Sequence, residues 1–128
     1  MVRRRRTRDK ATRRTTLMLK GGRVAITLDE LFQRIFWRSP ELANEAREFC
    51  RMLLESEPQG LPTSSWKNWT MRRNISVGQF YNMAHGLIGA GMVEKRNRAY
   101  HISSGFMREL EQMLMLYSSF TGFESRLK

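Results

Sequence analysis

A mainly helical domain with a small β component, extended at both ends, is the fold class this sequence predicts, and three observations predict it. Thr27-Leu-Asp-Glu30 and Ser76-Val-Gly-Gln79 are capping-box patterns, in which a hydroxyl and, three residues on, a carboxylate or amide satisfy first-turn N–H groups. Apolar residues recur at helical spacing over residues 28–36, 42–53 and 106–117, whereas Val93 to Ile102 alternates as paired strands do. The net charge of +11 is concentrated in two places, one of them a tail with almost nothing apolar.

That tail, residues 1–16, carries Arg3, Arg4, Arg5, Arg6, Arg8, Lys10, Arg13 and Arg14 against one acid, a balance of +7. It offers too little apolar surface to offset its ordering entropy, so it is expected to be disordered on its own. Residues 17–38 follow as an N-terminal hairpin or arm plus a helix. Gly21-Gly22 between two short apolar runs permits a tight turn, and an extended arm is the alternative. The helix opens at Thr27, runs through Leu28, Leu31, Phe32, Ile35 and Phe36, and should stop near Arg38, because Pro40 disfavours helical geometry at Ser39. Ser39 is then expected to cap a second helix with Pro40 at its first position. Leu42, Ala46, Phe49, Cys50 and Leu53 form its apolar face, and Pro58-Gln-Gly60 ends it. Leu61-Pro62 reads as extended.

Ser64 or Ser65 is expected to cap a short helix containing Trp66, Trp69 and Met71, closed by Asn74, a residue that tolerates the left-handed conformation. The next start is the best specified: Ser76 caps, Gln79 completes the box, and Ile75 with Phe80 makes a hydrophobic staple. This helix should reach Ala90 and end at Gly91. Met92 to Ile102 predicts a hairpin with Val93, Tyr100 and Ile102 inward and its tip near Asn97. A last helix, Ser104 to about Phe120, aligns Phe106, Leu110, Met113, Leu114 and Tyr117.

Composition excludes several classes. Of the 128 residues about 110 remain after the tail, enough for one core and too few for two. No segment approaches the roughly 20 apolar residues of a membrane span, and the basic N-terminus is not followed by an apolar run, so neither a membrane partner nor a secretory signal is expected. Cys50, the single cysteine, rules out an intrachain disulfide and sits in an apolar stripe as a buried thiol. An intracellular location follows, cytoplasmic or nucleoid in a prokaryote. His85 and His101 have no carboxylate or cysteine cluster at metal-ligand spacing. No phosphate loop, nucleophile elbow or catalytic carboxylate pair occurs, so neither enzymatic activity nor a cofactor is expected.

The order helix, extended Leu61-Pro62, helix, three-residue turn, helix and two-stranded hairpin resembles that of a winged helix-turn-helix DNA-binding domain. The stretch Gly86-Leu-Ile-Gly-Ala-Gly-Met-Val-Glu-Lys-Arg96, followed by Ala99-Tyr-His-Ile-Ser103, carries most of the similarity: a leucine-rich helix end with Gly, an apolar strand, a basic tip, and an aromatic–x–aliphatic pair. The resemblance covers residues 39–104 and leaves out the preceding helix, the arginine tail and the final helix, residues 105–128. It implies that the helix from Ser76 enters the major groove and that the hairpin, the wing, touches phosphate or the minor groove.

On such a helix, residues 77, 80, 84, 87, 88 and 91 cluster as a core face, and Gln79, Asn82 and Gly86 lie opposite. Gln and Asn make bidentate contacts to adenine, and Gly permits close approach, so these three are the expected base contacts. Three glycines at 78, 86 and 89 cost a helix about 1 kcal/mol each against Ala, which calls for a close neighbour, either DNA or another helix. Residues 63–104 hold six basic residues and one acid. Lys67, Arg72, Arg73, Tyr81, His85, Lys95, Arg96 and Arg98 are the expected backbone contacts. Trp66 and Trp69 at helical spacing read as packing in preference to base stacking. The function expected is a sequence-specific regulator that binds double-stranded DNA as a homodimer through Phe106, Leu110, Met113, Leu114 and Tyr117. The alternatives are a sequence-tolerant architectural, chromatin-type DNA-binding protein and an RNA-binding ribonucleoprotein component.

Overall fold

In the computed structural model residues 15–124 are described. The tail expected to be disordered lies outside them except for Thr15 and Thr16, which are not loose. Thr15 Oγ1 donates to the Gly86 carbonyl at 2.7 Å, Trp37 Nε1 donates to the Thr16 carbonyl at 3.1 Å, and Met18 N–H donates to the Arg34 carbonyl at 2.9 Å. The arm that follows has no named strand, but it turns tightly at Gly21-Gly22, closed by a single antiparallel bridge from Lys20 to Arg23.

Helix α1, Leu28–Ile35, starts with both capping-box bonds formed: Glu30 N–H to Thr27 Oγ1 and Thr27 N–H to Glu30 Oε1. It ends three residues earlier than Pro40 alone requires. Phe36 leaves helical geometry, is buried, and lets the chain turn through the Ser39 N–H to Phe36 carbonyl bond. Helix α2, Pro40–Ser56, has the expected proline at its first position, but the Ser39 side chain makes no cap bond. Leu42, Ala46, Phe49 and Leu53 are buried as their spacing predicts, with Ala43 added where α1 packs.

Strand β1, Leu61–Pro62, is more than an extended link. It pairs antiparallel with β3, Ala99–Ile102, which also pairs with β2, Val93–Arg96, giving a three-stranded sheet in the order β1-β3-β2. Between β1 and α3, Trp66–Arg73, lies a 3-10 turn, Thr63–Ser65; with Ser65 already in helical geometry, neither serine caps. Asn74 is left-handed as expected, φ 56° and ψ 47°. Helix α4, Val77–Ala90, shows the full Ser76/Gln79 box, and Gly91 ends it at φ 84°. Helix α5, Gly105–Thr121, completes a mainly helical fold with a small antiparallel sheet.

Phe49 is the hub of the core. Its ring meets Trp69, Phe80 and Tyr100 edge to face at centroid distances of 5.4, 5.6 and 5.5 Å, joining α2, α3, α4 and the sheet. Such pairs prefer this geometry because the ring edge is positive and the face negative.

Glu30 also accepts from the Ile26 N–H and pairs with Arg23, so its carboxylate ties the arm to α1. The Ile26 N–H, then Arg23, then the Thr27 N–H hold its pKa at about 2, against an ordinary 4.5. A carboxyl depressed in the folded state stabilises fully above its unfolded pKa and loses that contribution as pH falls through the folded value. The arm contacts are therefore expected to weaken between pH 4.5 and 2, read as a Glu30 side-chain carboxyl resonance titrating near 2 by NMR. In Glu30→Gln the Ile26 amide resonance should lose its response over that range. A Glu30 resonance titrating at the ordinary value overturns the assignment.

Candidate nucleic-acid interface

The turn at Asn74 and the Ser76 cap set α4 across α3, and burial then decides which side of α4 faces out. Phe80, Met83, Ala84 and Leu87 have no exposed surface. Periodicity predicts a core face containing Val77 and an outward shoulder at Met83. Phe80, Ala84 and Leu87 are inside as expected, but the face is rotated towards Met83: Val77 is 43% exposed and Met83 is buried. The cause is the segment before α2. Phe36 packs against Gly86 so closely that a Cβ there would lie 2.8 Å from Phe36 Cε1. The neighbour that the missing side chain serves is an intrachain ring, and it covers one flank of α4.

The three residues expected to meet bases are therefore differently placed. Gly86 is occupied by Phe36, and its carbonyl accepts from Thr15. The side-chain oxygen of Gln79 accepts the Ser76 N–H at 2.9 Å, so capping uses the acceptor half of its amide. Asn82 is exposed. The exposed strip of α4 thus runs through Gly78, Asn82 and Gly89, with His85 half-buried along it, and a Cβ on Gly78 would meet only the Ser76 hydroxyl within 4 Å. Tyr81 borders the strip, stacked on His85 at 5.6 Å.

One edge of this strip faces the wing. An open groove of ≈ 560 Å³ is lined by Thr63, Ser64, Trp66, Tyr81, Lys95, Arg98 and Tyr100. Burial pushes the Tyr100 phenol up to about 12, so it stays neutral. The β2–β3 turn places Asn97 and Arg98 at φ 52° and 60°. Two consecutive positive angles make a type I′ turn, whose second position glycine usually fills. An arginine there accepts backbone strain to put a cation at the tip.

The basic residues divide into two groups. Among the described residues no carboxylate pairs with Lys67, Arg72, Lys95 or Arg98, all exposed, although the Lys67 ammonium lies 5.8 Å from the Trp66 ring centre. Arg73 is committed inside the chain: it reaches the Glu45 carboxylate at 2.8 and 3.2 Å and lies over Trp69 at 5.3 Å, tying α3 to α2. Arg96 pairs with Glu94 at 2.9 Å, but both are about half exposed and such pairs contribute roughly 0–1 kcal/mol. Trp69 is buried in the core, and Trp66 is half-buried at the groove. Sequence reasoning missed Thr63 and Ser64. Their signal was a hydroxyl pair just before a helix start, where free N–H groups favour anions.

The opposite edge of α4 borders a cleft of ≈ 330 Å³ whose walls include Thr15, Thr16, Trp37, Arg38, Asn82 and Gly86. Elsewhere, His101 is buried with its ring nitrogen 3.3 Å from Glu57, linking β3 to the end of α2. Among the described residues no group of three or more His, Cys, Asp or Glu could hold a metal ion. No helix among them is long and apolar enough to cross a membrane.

Of the residues expected on the last helix, Phe106 packs against the core and its N–H donates to the Gly91 carbonyl at 2.8 Å. Leu110 and Leu114 are half-buried, and Met113 and Tyr117 are exposed, as is Phe120 at 85%. No residue of α5 is fully buried by the described residues.

Helices α2, α3 and α4 with a three-stranded antiparallel sheet make an arrangement compatible with a winged helix. The chain belongs to an archaeal family, whose model matches residues 27–120. That span takes α1 and α5 in with the central helices and sheet, and leaves the arm and tail outside. No curated protein and no solved structure matches the chain.

Proposed function

We propose that this protein is a winged helix-turn-helix regulator of transcription that binds double-stranded DNA, with the exposed strip of α4 in the major groove and the β2–β3 wing on the backbone. One observation carries the reading: four exposed cations that pair with no carboxylate among the described residues, Lys67, Arg72, Lys95 and Arg98, lie on α3 and on the β2–β3 wing, the two elements that line the groove beside α4 with Trp66, Lys95 and Arg98. The groove between wing and helix adds Thr63, Ser64 and Tyr81 hydroxyls, which suit phosphate oxygens. The protein acts as a homodimer through α5. Its 17 residues span about 25 Å and carry Met113, Leu116, Tyr117 and Phe120 on one side, uncovered by the described residues. A twofold partner would bury that stripe and set two α4 helices about one duplex turn apart.

A second reading, a sequence-tolerant architectural protein, draws support from a specific observation. Of the three residues expected to read bases, Gly86 is covered and Gln79 is partly engaged, which leaves Asn82 with the whole amide to offer. One experiment separates the two. In the sequence-reading protein Asn82→Ala should cost about 1–3 kcal/mol on a selected duplex, roughly 5- to 150-fold, and far less on a random duplex. Arg98→Ala should weaken binding to every sequence alike and lower the salt slope by about one. Equal losses for Asn82→Ala on both duplexes favour the architectural protein. Undiminished binding by Arg98→Ala removes the wing from the interface.

A further inference from the structure

We propose that the cleft between α4 and the corner joining α1 to α2 is a binding site for a small organic anion, a carboxylate on a flat apolar body, and that this anion competes with the duplex for Asn82. The site stands on its own geometry; its effect on duplex binding rests on the DNA-binding reading. The cleft measures ≈ 330 Å³, at the small end of the roughly 300–1,000 Å³ of ligand pockets. Its inner wall is apolar, formed by Ile35, Phe36 and Leu42, all core residues. Its rim is polar, with Arg38, Ser39 and Asn82. A phosphate backbone has nothing apolar to bury against such a wall, so the cleft suits a compact molecule with both kinds of surface.

Charge sets the sign of that molecule. Arg38 is the one charged residue of the lining; it is exposed, and among the described residues no carboxylate pairs with it. Its guanidinium lies 4.7 Å from the Trp37 ring centre, and Trp37 Nε1 in turn donates to the Thr16 carbonyl at 3.1 Å. The stack holds the fork at the rim, and a carboxylate matches that fork two bonds at a time. Ser39 adds a hydroxyl that makes no cap bond, at the N-terminus of the 17-residue α2, where negative charge is favoured. Glu41, the acid in that first turn, lies outside the lining.

Asn82 links the cleft to the recognition helix. It precedes Gly86 by four residues, so the two lie one above the other on one flank of α4, and both line the cleft. Gly86 has no side chain to hold off the Phe36 ring, which brings the apolar wall up against α4. The Asn82 amide has no partner among the described residues and can serve the anion or a base, not both. Anion and duplex should therefore each weaken the binding of the other by the same factor.

The probe is 4-(trifluoromethyl)benzoate, with 4-(trifluoromethyl)benzamide as its uncharged counterpart, each titrated into the full chain at constant ionic strength. Fluorine and amide NMR should show saturable binding of the benzoate, with the largest shifts at the Trp37 Nε1–H and the Asn82 side-chain amide. The benzamide should bind about tenfold more weakly, and Arg38→Gln should weaken the benzoate by about as much while leaving the benzamide unchanged. At saturation the benzoate should lower affinity for a selected duplex about fivefold or more and spare a random one, and in Asn82→Ala that effect should vanish. Absent benzoate binding, equal binding of benzoate and benzamide, benzoate binding that survives Arg38→Gln, or shifts centred on the groove of Lys95 and Arg98 overturn the site. Saturable binding in the cleft with unchanged duplex affinity overturns the competition for Asn82. A chain that takes up the benzoate as expected and binds no duplex overturns the DNA reading and leaves the anion site standing.

Discussion

Replacing Met113 and Tyr117 together with glutamate is expected to convert the protein from a dimer to a folded monomer and to weaken its duplex binding about 10²- to 10⁴-fold. The two side chains are 51% and 60% exposed and lie one turn apart on α5, so the substitutions remove little packing within the chain. What they remove is the apolar stripe that a second copy would cover, and they set carboxylates against carboxylates across the twofold. The loss of affinity follows because two linked half-sites gain from effective concentration, and a monomer forfeits that gain without losing any contact to its own half-site. Sedimentation at micromolar concentration checks the first part: twice the 15.1 kDa chain mass for the unaltered protein and 15.1 kDa for the variant. Circular dichroism should show unchanged helix. A monomeric unaltered protein ends the dimer reading. Leu114→Glu is the instructive contrast, because Leu114 is half-buried and its loss should lower stability as well as association.

Local chemistry made most of the fold legible. Capping at Thr27 and Ser76, the left-handed Asn74 and Gly91, and the Leu42–Ala46–Phe49–Leu53 stripe are all set by residues within one or two turns of each other, and each stands where its pattern put it. What the local pattern left incomplete or misplaced depended on distant partners. Leu61-Pro62 becomes a strand only because β3, nearly forty residues on, offers a free edge. The rotation of α4 depends on Phe36 arriving from α1, which no periodicity within residues 77–90 encodes. Gln79 was identified both as a cap and as a base reader, but its side-chain oxygen is used by the cap. Arg73 looks like any other surface cation until Glu45, 28 residues earlier, is seen beside it. The site was thus legible as a set of elements and a charge balance, and less so as a set of side chains.

Deleting residues 2–14 should leave the melting temperature nearly unchanged and remove most of the salt dependence of duplex binding. The bonds that hold the arm begin at Thr15, and the deleted segment carries eight cations with no apolar residue larger than valine. If each cation neutralises one phosphate, its loss lowers the slope of log affinity against log salt by up to about 7. The truncated protein should therefore bind much more weakly at low salt and approach the full chain as salt rises, since screening removes the same contribution. Asn82 remains, so the preference for a selected duplex over a random one should survive. Titrations at several salt concentrations and a thermal melt check the whole set. A fall in melting temperature of about 4–8 °C, the shift that about 1 kcal/mol produces in a domain of this size, would mean that the tail packs on the body. A slope that does not change would mean that the tail meets something other than phosphate.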